Sequence, residues 1–281
     1  MLSLAERLAA AVALLAPVSD SPRLDAELLL AHALRISPKQ LSARLKTSPE
    51  VPEFDAFVER RIAYEPIPYI LGEWEFFSLE LEIEEPILVP RAETEHLVEA
   101  VLEHIGQSPA RVLELGTGSG CVSLAVAVNA PQCQVIATDI NEAALALAAR
   151  NIKRHALESR VALFHGDLFA ALPDGSEPFD AICSNPPYVE ESAWPDLSPS
   201  IRMYEDPRAL LAGQDGLDVV RRILKEAPAH IRPDGLLALE IGMGQYDAVH
   251  ALLCEHGYVG VGYRNDLAGI PRIAVGHVPK P

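Results

Sequence analysis

From Arg111 onward, short apolar runs alternate with longer segments whose apolar residues recur at helical spacing. Such alternation favours a mainly parallel sheet covered by helices, because parallel strands need a crossover connection. The last two runs are joined by a short loop without a helix, so we expect antiparallel neighbours there. The predicted strands are 111–115, 134–139, 161–165, 179–184, 236–241, 258–263 and 272–278. The sequence therefore predicts an α/β fold with seven strands, mostly parallel and with the last strand antiparallel.

The N-terminal part predicts helices instead. Ser21-Pro22, Ser37-Pro38 and Ser48-Pro49 each place a serine before a proline, a pattern typical of a helix start. Ser3 with Glu6 has the spacing of a capping box, and Ser37 with Gln40 has the same spacing. We therefore predict a small helical domain over residues 1–70.

Between these two parts the pattern changes to alternation. Leu79, Leu81 and Ile83 alternate with polar residues, as expected for a strand with one buried face. We predict a β-hairpin linker over residues 71–90 and an α/β domain over 91–281.

The first predicted strand runs into a glycine turn, ELGTGSG, where an α/β sheet binds its ligand. Gly116, Gly118 and Gly120 lack the G-x-G-x-x-G spacing of a dinucleotide site, which favours a cofactor without a pyrophosphate. Asp139 ends the second strand, where a carboxylate can accept both ribose hydroxyls of an adenosine group. After the third strand, Asp167 and Leu168 are expected beside the adenine, with Leu168 as an apolar wall.

The fourth predicted strand ends in the sequence SNPPY. Proline has a fixed φ and no N–H, so the loop Asn185-Pro186-Pro187-Tyr188 should be stiff and poor in donors. The side-chain oxygen of Asn185 and the carbonyl of Pro186 then form a pair of acceptors for a planar –NH2 group. Tyr188 can stack on the flat face of that group. The loop therefore predicts a clamp for an amine or amide nitrogen.

Composition limits the partners. The 281 residues carry a formal net charge of −17, which argues against direct nucleic-acid binding through phosphates. The four cysteines form no CxxC pair, which indicates reduced thiols rather than a disulfide framework. No apolar run has the length of a membrane span, and Ser3 with Glu6 before the apolar N-terminal segment indicates the start of a helix rather than a signal peptide. We expect a cytoplasmic monomer that does not bind membranes.

These motifs carry a family resemblance. ELGTGSG, TDIN and SNPPY resemble class I S-adenosylmethionine-dependent methyltransferases that act on exocyclic or amide nitrogens. SPRLDAELLLAHAL, PIPYILGEWEFF, ILVPRAETEHLVE and DGLDVVRRIL resemble the peptide chain release factor glutamine methyltransferases, over nearly the whole chain. The resemblance implies a Rossmann-like sheet and S-adenosylmethionine as cofactor, with S-adenosylhomocysteine as product. It also implies N5-methylation of the glutamine in the Gly-Gly-Gln motif of bacterial class 1 release factors, with the N-terminal helices docking that partner.

The resemblance also assigns roles to residues. The residues implied to contact the cofactor are Gly116, Thr117, Gly118, Ser119, Gly120, Asp139, Leu168 and Asn185. The residues implied to hold the target amide are Asn185, Pro186, Pro187 and Tyr188. Three positions depart from the family pattern: PRPDTE reads PRAETE here, with Ala92 and Glu93, and an aromatic often found at 168 is a leucine.

Other functions stay open at this point. A related enzyme methylates a glutamine of a ribosomal protein, and a DNA adenine N6-methyltransferase uses a similar clamp but needs a basic groove for DNA. A non-catalytic binding module could keep the same fold. His250 and Cys254 have i, i+4 spacing, yet without a further ligand motif we interpret them as a pair on a helix surface and expect no metal.

Overall fold

The computed structural model describes residues 2–280, which divide into two compact units. One unit contains the chain up to Glu73 together with Leu197–Glu205. The other contains Trp74–Asp196 and the chain from Asp206 onward. Leu197–Glu205 thus lies with the N-terminal helices, although in sequence it falls between two strands of the sheet.

The first unit is helical. Its α-helices are α1 Leu4–Leu15, α2 Pro22–Ala33, α3 Pro38–Leu41, α4 Pro52–Ile62, α5 Ile67–Leu71 and α9 Pro199–Tyr204. The two predicted capping boxes, at Ser3 and at Ser37, are confirmed. The helix start predicted at Ser48-Pro49 is wrong, because Pro52 takes the first helical position after the buried Val51.

The late segment joins this unit through hydrogen bonds to the end of α4. The Ser200 hydroxyl donates to the carbonyl of Tyr64 at 2.7 Å, and the Tyr204 hydroxyl donates to the carbonyl of Ala63 at 2.9 Å. Carbonyls at a helix end have no partner within the helix, so α9 satisfies groups that would otherwise need water.

A hairpin of two short strands, β1 Glu73–Phe76 and β2 Leu79–Glu82, follows α5. Its two-residue turn has positive φ at both positions, 50° at Phe77 and 61° at Ser78, as in a type I′ turn. The Phe77 amide donates to the Glu95 carboxylate at 2.8 Å. The hairpin turn is therefore fixed to the start of the next helix.

The second unit contains the predicted seven-stranded sheet, in the order β5-β4-β3-β6-β7-β9-β8. Its strands are β3 Ala110–Leu115, β4 Cys133–Asp139, β5 Val161–His165, β6 Phe179–Ser184, β7 Ile231–Glu240, β8 Val259–Asn265 and β9 Pro271–His277. Strand β9 is antiparallel to both of its neighbours, β7 and β8, while the pairs from β5 to β7 are parallel. The predicted fold class is confirmed.

Helix α6 Glu95–Ile105 precedes the sheet, and helices connect most of its strands: α7 Cys121–Asn129, α8 Glu142–Arg154, α10 Asp218–Glu226 and α11 Tyr246–Glu255. The core joins central strands to α10 and α11, with Leu113, Ile182 and Leu237 packed in one cluster with Val220 and Val249. None of the helices formed by residues 2–280 is both long enough and apolar enough to cross a membrane.

The strand order places a switch point between β3 and β6. From β3 the chain first moves to β4 and β5 on one side and later returns to β6 on the other side. Ligands of open α/β sheets bind where the direction of winding reverses, outside the carboxyl ends of the strands. Both motifs singled out from the sequence follow these two strands.

Candidate active site

A cleft of about 320 Å³ lies at the carboxyl edge of the sheet, in the range of small-molecule sites. The predicted site residues that line it are Gly116, Gly118, Asp139, Leu168, Asn185 and Pro187. Asp167 lines it as well. The lining does not include Thr117, Ser119, Gly120, Pro186 or Tyr188.

Some of the residues that do not line the cleft support the glycine turn from inside the protein. Thr117 and Ser119 are buried, and the Thr117 hydroxyl donates to the Glu114 carboxylate at 2.7 Å. The same carboxylate accepts from the Ser123 amide at 3.0 Å and from the Ser123 hydroxyl. Burial raises the pKa of Glu114 to about 7, although these hydrogen bonds oppose the shift. Glu114 therefore connects Thr117 in the glycine turn to Ser123 in α7 through hydrogen bonds.

The glycines divide into two roles. Gly116 and Gly118 have φ of 73° and 56°, and a Cβ at either position would meet no atom within 4 Å. Their backbone is thus open to the cleft, where a ligand can approach it closely. A Cβ at Gly120 would lie 3.2 Å from the Cβ of Ala148, so Gly120 allows close packing against α8.

Asp139 faces this turn from the next strand. Its carboxylate accepts from the Gly118 amide and the Asn141 amide, both at 2.8 Å. Within residues 2–280 it has no ion-pair partner, and burial raises its pKa despite the two backbone donors. A carboxylate has about four acceptor positions, so it can still accept hydroxyl groups of a ligand.

A second polar group beside Asp139 has no protein partner. The Thr138 hydroxyl is buried without a hydrogen bond to any described residue, and Thr138 lines the cleft. Buried polar atoms are nearly always hydrogen-bonded, so this unpaired hydroxyl is an exception in the wall of the cleft. The open glycines and Asp139 fit a nucleoside-bearing cofactor.

Both residues predicted to lie beside the adenine line the cleft, and their role stays a prediction. Leu168 lines the cleft with φ of 50°, and Ile87 and Val219 add apolar surface. Asp167, however, forms a 2.7 Å ion pair with Arg222. Its charge is thus balanced within the protein, in contrast to that of Asp139.

The SNPPY loop is joined to the glycine turn at its start. The Ser184 hydroxyl donates to the Leu115 carbonyl at 2.7 Å, so β6 and β3 end at the same level. The next residue, Asn185, donates from Nδ2 to the Thr94 hydroxyl oxygen at 3.2 Å. Within the described chain, neither Asn185 Oδ1 nor the Pro186 carbonyl accepts a hydrogen bond. Two unpaired acceptors therefore lie on adjacent residues, and the first of these residues, Asn185, lines the cleft.

Tyr188 ends this loop under strong constraint. Its carbonyl accepts from Gln245 Nε2 at 3.0 Å, and a Cβ on Gly216 would lie 2.3 Å from that oxygen. A Cβ on Gly242 would lie 3.3 Å from the Tyr188 ring. Burial raises the pKa of the Tyr188 hydroxyl to about 12, so the phenol stays neutral. Its stacking on a substrate stays a prediction.

Sequence reasoning missed several residues that hold the site. Asn151, fully buried in α8, accepts from the Glu82 amide at 2.7 Å and donates to the Ser119 carbonyl at 2.9 Å. It thereby joins the hairpin to the glycine turn. Thr94 and Glu240 lie behind Asn185 and are both buried. A usable signal existed for Glu114 and Glu240, because each is a single carboxylate within an apolar run, 112–115 for Glu114 and 236–241 for Glu240.

The described chain contains no group of three or more His, Cys, Asp or Glu side chains that could hold a metal ion. His250 Nδ1 and Cys254 Sγ lie 3.9 Å apart on α11 and form only a pair.

Two family models match the chain. The model described as "Methyltransferase small domain" matches residues 92–203, and the "PrmC N-terminal domain" matches residues 6–72. A release factor glutamine methyltransferase of Xylella fastidiosa is 42% identical over 277 residues, covering 95% of this chain and 98% of that protein. The chain belongs to the release factor glutamine methyltransferase family.

Other members give the same result. The Cereibacter sphaeroides release factor glutamine methyltransferase is 41% identical over 98% of both chains. Among solved structures, a methyltransferase from Pyrococcus furiosus matches with a TM-score of 0.55 at 20% identity, covering 81% of this chain and 99% of that one. That likeness concerns the fold. Of the three positions that depart from the family pattern, Ala92 is exposed, Glu93 is half-buried and Leu168 lines the cleft.

Proposed function

We propose that this chain transfers a methyl group from S-adenosylmethionine to the side-chain amide nitrogen of the glutamine in the Gly-Gly-Gln motif of a bacterial class 1 release factor. The observation that carries the proposal is the pair of unpaired acceptors, Asn185 Oδ1 and the Pro186 carbonyl, beside the cleft of the glycine turn. A primary amide has two N–H donors, so the pair can bind both of them.

The cofactor-binding residues in this proposal follow the cleft. Asp139 accepts ribose hydroxyls, Leu168 packs against the adenine, and the backbone of Gly116 to Gly120 borders the amino-acid end. When bound, the cofactor supplies a methyl group already activated by a sulfonium sulfur. The methylated amide nitrogen carries an extra proton, which it loses readily. The chain's own task is therefore to align the amide and to keep water out, rather than to supply a strong base.

The SNPPY loop does this by its stiffness. Pro186 and Pro187 restrict the backbone, Ser184 fixes the loop start to β3, and Gln245 fixes the Tyr188 carbonyl. Carbonyl oxygens facing the amide nitrogen stabilise positive charge that develops there. Tyr188 stacks on the amide plane.

The partner contacts belong to the proposal as well. The helical domain, residues 1–70, docks the release factor, while the hairpin of 71–90 links it to the methyltransferase domain of 91–281. The enzyme acts as a monomer in the cytoplasm and makes no direct contact with nucleic acid, consistent with its net charge of −17.

The test is a methylation assay with labelled S-adenosylmethionine and a purified class 1 release factor. We expect one methyl group on the motif glutamine, located by tandem mass spectrometry, and no label when that glutamine is replaced. Ribosomal proteins and an adenine-containing DNA duplex serve as competing acceptors. Preferential label on a ribosomal protein would assign the alternative glutamine methylation instead.

Asn185→Ala is the matched catalytic variant. We expect methyl transfer to fall below detection, because the amide loses one of its two acceptors, while cofactor binding by calorimetry stays largely intact. If both were lost equally, the clamp assignment would be wrong.

A further inference from the structure

Three side chains form a continuous hydrogen-bonded series behind the SNPPY loop. Glu240 and Thr94 are each 2% exposed, and the Thr94 hydroxyl donates to Glu240 Oε2 at 2.7 Å. The oxygen of the same hydroxyl accepts from Asn185 Nδ2 at 3.2 Å. Of these three residues, only Asn185 lines the cleft.

The direction of the hydrogen bonds in this series is determined at its buried end. An ionised carboxylate can only accept, so the single hydroxyl proton of Thr94 is committed to Glu240. Thr94 Oγ1 can then only accept a hydrogen bond from Asn185, so Asn185 must donate from its –NH2 group. The opposite atom of the amide, Oδ1, is left for the cleft.

We propose that Thr94 and Glu240 are positioning residues that fix the orientation of the Asn185 amide, so that its oxygen rather than its nitrogen meets the substrate. The inference rests on the proposed function, because an amide substrate needs acceptors. A turned-over Asn185 would place –NH2 against –NH2, where no hydrogen bond forms.

Protonation of Glu240 removes this constraint. A neutral carboxyl can donate to Thr94, whose proton is then free to bond Asn185 Oδ1. Burial raises the pKa of Glu240 to about 7, opposed by the Thr94 bond and by nearby Arg272 and Arg91. The remaining charged or titratable groups that face it are Glu93, Tyr188 and Cys121. Methyl transfer should therefore decrease as pH falls through about 7.

Thr94→Val keeps the shape of the side chain and removes the hydroxyl. We expect kcat to fall about 10- to 100-fold, as for loss of one buried hydrogen bond. The dissociation constant of the cofactor should stay within about 2-fold, since Thr94 does not line the cleft. Thr94→Ser should restore most of kcat, which a packing role for the methyl group would not.

Glu240→Gln tests the polarity of the series. Glutamine can donate or accept, so the variant should have a lowered kcat that no longer changes between pH 6 and pH 8.5. Glu93→Gln is the matched control, since it removes a nearby charge outside the series. It should keep the pH inflection, shifted to lower pH because Glu93 raises the pKa of Glu240.

A substrate-free measurement separates this inference from the proposed function. In the complex with S-adenosylhomocysteine, the NMR signals of the Asn185 side-chain amide should titrate near pH 7 in the wild type and not in Glu240→Gln. If no release factor is methylated, the proposed function is overturned. The NMR signals of the Asn185 amide would still test the series in that case. Wild-type kcat in Thr94→Val, or an unchanged inflection in Glu240→Gln, would overturn the inference; the latter would assign the titration to Glu114.

Discussion

Asp139 and Asp167 follow neighbouring parallel strands and line the same cleft, yet their surroundings differ. Asp139 accepts only backbone donors, whereas Asp167 is paired with Arg222. A half-buried carboxylate without an ion-pair partner gains most from a ligand that brings hydroxyl donors, because charge-assisted hydrogen bonds are the strong ones. We therefore expect Asp139 to be the stronger determinant of cofactor affinity.

We expect Asp139→Ala to raise the dissociation constant of S-adenosylmethionine by roughly 10- to 100-fold. Part of this loss comes from the Gly118 amide, which also loses its acceptor. Calorimetry measures the constant directly. Asp167→Asn is the comparison, with an expected rise of less than about 3-fold, because its exposed ion pair contributes little. Equal effects of the two variants would contradict the distinction.

At the scale of elements, the SNPPY loop is fastened at both ends by residues distant in sequence. Ser184 fixes the start of the SNPPY loop to β3. At the other end of the SNPPY loop, the Tyr188 carbonyl lies against Gly216, in the segment before α10. The Gly216 backbone passes so close to the Tyr188 carbonyl that no side chain fits between them. This close approach explains why a glycine opens the segment GLDVVRRIL.

Gly216→Ala should displace the loop and reduce kcat at least about 10-fold. The new Cβ would lie 2.3 Å from the Tyr188 oxygen, and the residue has φ of 70°. Gly257→Ala is the matched control, since its φ is 81° but a Cβ there meets no atom within 4 Å. Both variants should lose roughly 1 kcal/mol of stability from the positive φ. Only Gly216→Ala should lose methyl transfer; if Gly257→Ala lost it equally, the loop contact would not be the cause.

At the scale of the whole molecule, two buried carboxyls link folding to pH. Glu114 and Glu240 each have a pKa raised to about 7 by burial, compared with an ordinary value of 4.5. Between these pH values the folded state binds more protons than the unfolded state does. The free energy of unfolding therefore falls as pH rises through this window.

We expect each carboxyl to cost on the order of 1–3 kcal/mol of stability at pH 8 relative to pH 5. Urea unfolding followed by tryptophan fluorescence measures this, because both tryptophans, Trp74 and Trp194, belong to the same unit as these glutamates. Glu114→Gln and Glu240→Gln should each reduce the difference between the two pH values. A difference unchanged in both variants would show that other groups dominate.

Features that depend on residues close together in sequence could be predicted, whereas contacts between distant residues could not. Hydrophobic periodicity and turn residues act within a few positions, so the seven strands, the capping boxes and the glycine turn could be predicted from local patterns. The Ser48-Pro49 start failed for the same reason, since a second proline three residues later competes for the same role.

The order of strands and helices, and the position of the glycine turn and of Asn185 at strand ends, follow from the amino-acid sequence, because they are properties of short segments. The partners of these residues become visible only in the folded chain. Asn185 and Thr94 form a hydrogen bond although they are 91 positions apart in sequence, and Thr94 and Glu240 form one although they are 146 positions apart. The same holds for Asp167 with Arg222 and for Leu197–Glu205 with the N-terminal helices. Such contacts depend on how the whole chain packs, and no local pattern carries that information.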